Sequence, residues 1–105
     1  MIVNPTVQEL DALIASGKPV IIDLYGEWCS PCKMFAPIFV RAAESNADRA
    51  EFVKIDVDVR PELAQRYGIM SVPSVVGISG GEIKHTSSGI MNESALNALA
   101  DKLAQ

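Results

Sequence analysis

Apolar and polar positions follow two rhythms along this chain, one near two residues and one near three and a half. Val20-Ile21-Ile22-Asp23-Leu24-Tyr25 is an apolar run broken only by Asp23, the pattern of a central strand buried on both faces. Phe52 to Val57 sets Phe52, Lys54 and Asp56 against Val53, Ile55 and Val57, which predicts another strand. Val75 to Ile78, the turn Ser79-Gly80-Gly81-Glu82, and Ile83 to Ser87 predict a hairpin. Gly77 interrupts its first strand, which suggests a bulge or looser packing there. Met1 to Val3 reads as a short edge strand.

Helical spacing takes over between these runs. Thr6 and Glu9 form a capping box ahead of Leu10, Leu13 and Ile14, and Gly17 with Pro19 stops that helix. A second helix is expected from Ser30 or Pro31 to about Asn46. Met34, Phe35, Ile38, Phe39 and Ala42 should mark its buried face, with a kink at Pro37. Pro61 opens a short helix that ends before Gly68. Asn92 caps a last helix lined by Leu96, Leu99 and Leu103. The order β, α, β, α, β, α, β, β, α fits a central mixed sheet with helices on both faces.

Composition narrows the classes. With 105 residues, 49% of them apolar, residues 1–105 are expected to form one domain. A net charge of -4 argues against nucleic acid or an anionic membrane as the main partner. No apolar stretch is long enough to span a bilayer, and Met1-Ile2-Val3-Asn4-Pro5 lacks a signal-peptide pattern. The expectation is cytoplasmic residence, where a cysteine pair is more often catalytic than structural.

Both cysteines fall in Trp28-Cys29-Ser30-Pro31-Cys32-Lys33, at a strand-to-helix junction. Helix N–H groups point outward there and favour negative charge, so the Cys29 thiolate is stabilised. Cys29 is therefore the candidate nucleophile, expected to be exposed. Cys32 lies one turn inside the helix, should be more buried, and is the resolving thiol. A static staple closed over so few residues removes little chain entropy. Two cysteines and a distant His85 do not make four zinc ligands, so no metal is expected. Asp23, a carboxylate in an apolar strand, should have a raised pKa, as a general base for Cys32 requires.

The segment Asp-Leu-Tyr-Gly-Glu-Trp-Cys-Ser-Pro-Cys-Lys-Met-Phe-Ala-Pro, Asp23 to Pro37, resembles the active-site segment of the thioredoxin family. Val72-Pro73 and Gly89 fall at that family's other landmarks, and the resemblance runs from about Thr6 to Leu103. It implies an α/β thioredoxin fold, a central mixed sheet of four or five strands flanked by four helices. It implies that Asp23 is the base, with Lys54 beside it, and that the Val72-Pro73 bond is cis and faces the dithiol. Val72 would then offer backbone hydrogen bonds to substrate. Trp28, Ser30, Pro31, Pro73, Gly89 and Ile90 would complete the docking surface. Ser30 replaces the family's usual glycine; Pro31 stiffens the turn, and the Ser30 hydroxyl is within reach of the Cys29 sulfur or a helix N–H. Tyr25 stands where many members have tryptophan.

The expected activity is protein-disulfide reduction through a mixed disulfide. The expected partners are oxidised proteins and a thioredoxin-reductase-type electron donor. The chain is expected to be monomeric and to need no bound cofactor, since the dithiol carries two electrons. Disulfide oxidase or isomerase activity, or a non-catalytic binding role, are the alternatives. The first is disfavoured by the lack of an inserted helical segment and of a His between the cysteines.

Overall fold

A computed structural model describes residues 1–105. Five strands form one sheet: β1 (Ile2–Val3), β2 (Val20–Tyr25), β3 (Glu51–Asp56), β4 (Ser74–Ser79) and β5 (Glu82–Ser88). Four helices join them: α1 (Val7–Ala15), α2 (Ser30–Ser45), α3 (Pro61–Arg66) and α4 (Glu93–Leu103). The strand order is β1-β3-β2-β4-β5. β2 lies in the middle, parallel to β3 and antiparallel to β4. Every expected element is present, within a residue or so at its ends.

Alternation across the sheet separates two cores. Ile21, Phe52 and Val75 point to one face, where Phe35, Phe39 and Ala42 of α2 and Leu96, Leu99 and Leu103 of α4 cover them. Ile22, Leu24, Val53, Ile55 and Val76 point to the other, under Leu10 of α1 and Leu63 of α3. Asp23 has the parity of Ile21, so its side chain belongs to the α2 face.

The helix ends follow the sequence signals. Thr6 N–H donates to Glu9 Oε1 at 2.8 Å, and Glu9 N–H to Thr6 Oγ1 at 3.1 Å, completing the capping box. Ala95 N–H donates to Asn92 Oδ1 at 2.8 Å at the start of α4. α2 runs through Pro37 as one helix. At its far end the buried Asn46 side-chain amide donates to Ala42 O and to Asn97 Oδ1, tying α2 to α4.

Two packing expectations need correction. Met34 was expected on the buried face of α2 but is 66% exposed. The buried stripe is Cys32, Phe35, Phe39 and Ala42, and Met34 projects roughly 120° around the helix from its centre. Gly77 does sit at a bulge, since the β4–β5 register shifts between Gly77 and Ile78. Packing there is tight, not loose. A Cβ on Gly77 would lie 3.1 Å from Leu103 Cδ1 and 3.2 Å from His85 Cβ. The glycine lets α4 approach the sheet.

Candidate active site

β2 ends at Tyr25, and Gly26 to Trp28 carry the chain past the end of this central strand to Cys29, the N-cap of α2. Pro31 occupies the first turn, where its missing N–H leaves no bond unmade. Cys29 and Cys32 are joined as a disulfide, with Cα atoms 5.2 Å apart. The Cys32 backbone N–H donates to Cys29 Sγ at 3.2 Å. That is the helix-terminal donor expected to stabilise a thiolate on the first cysteine.

The expected difference in exposure is absent in this disulfide form. Cys29 is 5% exposed and Cys32 4%. The loop before β4 accounts for the cover, because Val72 O lies 3.6 Å from Cys29 Sγ. Val72-Pro73 is a cis bond. Gly89, with φ +89°, donates its N–H to Pro73 O at 2.8 Å, so the turn after β5 braces the same loop. Ile90 follows it, 43% exposed. Ser30 is exposed at the first position of α2, and its hydroxyl makes neither of the expected bonds. At that position it faces solvent.

Trp28 stands 69% exposed beside the disulfide. Its indole N–H donates to Asp58 Oδ2 at 2.9 Å. Asp58 is itself fixed, since its N–H donates to Asp56 Oδ1 at 2.9 Å and the Asp56 N–H donates to Asn4 Oδ1 at 2.7 Å. Arg60 completes the brace with bonds to Pro5 O and Asn4 O. The indole also lies on Gly26, where a Cβ would come within 2.8 Å of Trp28 Cε2. Asp58 and Gly26 are thus site residues that sequence reasoning did not single out. The glycine shortly before an exposed aromatic was the available signal; Asp58 had none, being thirty residues away.

Two depressions flank the disulfide. A groove of about 220 Å³ is lined by Trp28, Val57, Ile69, Met70 and Val72, among others. A smaller one, about 130 Å³, is lined by Cys32, Tyr25, Glu27, Lys33 and Lys54, among others. Ile90 lines neither.

Asp23 is fully buried, and neither carboxylate oxygen has a hydrogen-bond partner. Burial pushes its carboxyl up to about 7, and the Lys54 ammonium pulls the other way. Asp23 and Lys54 are register partners on β2 and β3. The Lys54 ammonium rests 4.5 Å from the centre of the Tyr25 ring, a cation–π contact that holds it at the mouth of the smaller depression.

A cysteine pair at a helix N-terminus, beside an apolar groove, with a buried carboxyl pushed up to about 7 on the sheet face that the same helix covers, defines a thiol–disulfide exchange protein. The thioredoxin family model matches residues 1–102. Thioredoxin of Bacillus subtilis (strain 168) is 39% identical over 101 residues, covering 96% of each chain. Thioredoxin of Alicyclobacillus acidocaldarius is 38% identical over 91 residues, covering 86% of this chain and 87% of that one. Among solved structures, Malassezia sympodialis thioredoxin superposes with a TM-score of 0.89 at 29% identity, over 100% of this chain and 91% of that one. Fasciola hepatica thioredoxin gives 0.88 at 31% identity, over 98% and 99%. The chain belongs to the thioredoxin family. It is a thiol–disulfide oxidoreductase, a disulfide reductase whose redox pair is Cys29 and Cys32. Membership brings protein substrates and a reductase as electron donor. No helix is long and apolar enough to cross a membrane.

Proposed function

We propose that the two thiols have fixed and different roles, with Asp23 as the proton acceptor between them. The Cys29 thiolate attacks one sulfur of a substrate disulfide; that S–S bond breaks and the first substrate thiolate leaves. Cys32 gives its proton to Asp23 and attacks the Cys29 sulfur. The mixed disulfide breaks, the second substrate thiolate leaves, and two electrons have passed to substrate. Lys54 favours the ionised Asp23 and so sets how much base is present near neutral pH. Trp28, Ser30, Pro31, Val72, Pro73, Gly89 and Ile90 form the surface on which an extended protein segment docks, with the Val72 backbone pairing to it. In this reading residues 1–105 act as one domain, a monomer, carrying electrons in the cytoplasm from a thioredoxin-reductase-type donor.

The observation that carries the reading is the buried, unpartnered Asp23 carboxyl, which titrates near 7 on the face that α2 covers. A group there is half ionised at working pH and can accept and return a proton. Insulin reduction under saturating reductant tests it. Asp23→Asn should turn over more slowly than the parent at pH 7 to 8. A parental rate in that variant excludes Asp23 as the base.

A further inference from the structure

The chain has four methionines, and they differ sharply in setting. Met91 packs against the core, and its sulfur accepts the Ser87 hydroxyl at 3.7 Å. Met34 is 66% exposed on α2 and lines neither depression. Met70 is 98% exposed, yet it lines the groove with Trp28, Ile69 and Val72. A side chain left almost wholly in water contributes little to folding. Its apolar area is free to be covered by whatever enters the groove, and its flexible thioether adapts to varied surfaces.

The same exposure opens the Met70 sulfur to oxidation. We propose that Met70 is a modification site for hydroperoxides, and that its sulfoxide weakens docking of protein disulfides while leaving the dithiol chemistry intact. The sulfur lone pair attacks the terminal peroxide oxygen. The O–O bond breaks, an S–O bond forms, and water or an alcohol leaves. The sulfur loses two electrons and the peroxide gains them. The product is polar and chiral where the thioether was apolar. Because Met70 stands almost wholly in water, its oxidation leaves stability untouched and the effect falls on the groove. The consequence for docking rests on the docking surface proposed above, whose Trp28 and Val72 also line this groove.

The experiment uses the disulfide form, in which neither cysteine has a thiol to be consumed. Hydrogen peroxide is added, quenched, and the sites are mapped by peptide mass. Met70 and Met34 should be oxidised well before Met91. The KM for insulin should then rise by about three- to tenfold, as expected when one apolar side chain no longer sheds water on docking. Reactivity toward a small aromatic disulfide should not change. Met34→Leu should keep the response and Met70→Leu should lose it, each compared with its own untreated sample. Treatment with both methionine sulfoxide reductases and dithiothreitol should restore the original KM. The proposal is overturned if Met70 resists while Met34 is oxidised, if full Met70 oxidation leaves KM unchanged, or if Met70→Leu still responds. Trp28→Ala separates the two levels. If it raises the insulin KM in untreated protein while peroxide does not, the groove reading stands and the Met70 proposal falls. If it leaves KM unchanged, both fall.

Discussion

Replacing Asp23 by asparagine should change how stability depends on pH, and the size of the change follows from the burial. The folded carboxyl titrates near 7 against an ordinary value of 3.8. Between those values the native state holds a proton that the unfolded chain has lost. Stability therefore falls as pH rises through that window and levels off above the folded pKa. About two pH units of the window lie above pH 5, and each is worth about 1.4 kcal/mol. The parent should thus lose about 3 kcal/mol between pH 5 and pH 9 on account of this one group. The asparagine of the variant cannot ionise and loses nothing. Its amide is as poorly partnered as the acid, a penalty equal at every pH that shifts the absolute difference and not its slope. Urea unfolding of the two disulfide forms at pH 5, 7 and 9, with linear extrapolation, measures it. Other titrating groups, His85 among them, are common to both proteins and cancel in the difference. A gap between variant and parent that stays constant from pH 5 to pH 9 would falsify the assignment of a raised pKa to Asp23.

Lys54→Met should move the pH midpoint of insulin reduction upward, because the ammonium that favours the Asp23 carboxylate is gone; an unmoved midpoint removes Lys54 from the proposed machinery. A brief iodoacetamide pulse on reduced protein, read by mass mapping, should label Cys29 before Cys32. Only the Cys29 sulfur caps the helix and borders Val72, and preferential labelling of Cys32 would reverse the proposed roles. Gly77→Ala should destabilise by about 1–3 kcal/mol in urea unfolding, since its new methyl meets Leu103 and His85 at close range. Unchanged stability would mean that α4 gives way freely. Thr6→Ala should lose about 1 kcal/mol from the α1 capping box by the same measurement, with no effect on insulin turnover.

Short-range signals carried most of the fold. Thr6 and Glu9, Asn92, Pro61 and the Gly80-Gly81 turn each act within a few residues, and each sits where its chemistry predicts. Strand parity likewise put Phe52 and Val53 on opposite cores. Phase was harder to read where apolar residues are adjacent. Met34 and Phe35 both fit an apolar stripe, and only the partners on the sheet decide which turns inward. The strand order and the covered state of Cys29 depend on contacts made across long stretches of chain, such as Val72 to Cys29. Resemblance supplied the first, and nothing in the sequence supplied the second. Gly77 shows how one residue carries two readings, since a missing side chain means a gap in one packing and a close approach in another.

Asp23 is the residue at which folding and chemistry pull apart. Its neighbours Ile21, Ile22 and Leu24 are each fully buried and apolar, so the local environment favours a fourth hydrophobe. Ionised at about pH 8, the carboxyl weakens the fold by about 4 kcal/mol relative to an unperturbed acid, a large share of a typical domain's margin. No hydrogen bond compensates, since no donor meets either oxygen; the Lys54 charge favours the carboxylate but lies against the Tyr25 ring in the lining of the depression beside Cys32, and burial outweighs it. A buried acid meant for stability would be paired, as Asp56 is with the Asp58 N–H. An acid left unpaired keeps its pKa near the working pH, which is the property the proposed proton acceptor for Cys32 needs. The weakness in the sheet and the proposed role in turnover therefore have one physical origin, and Asp23→Asn should remove the two together.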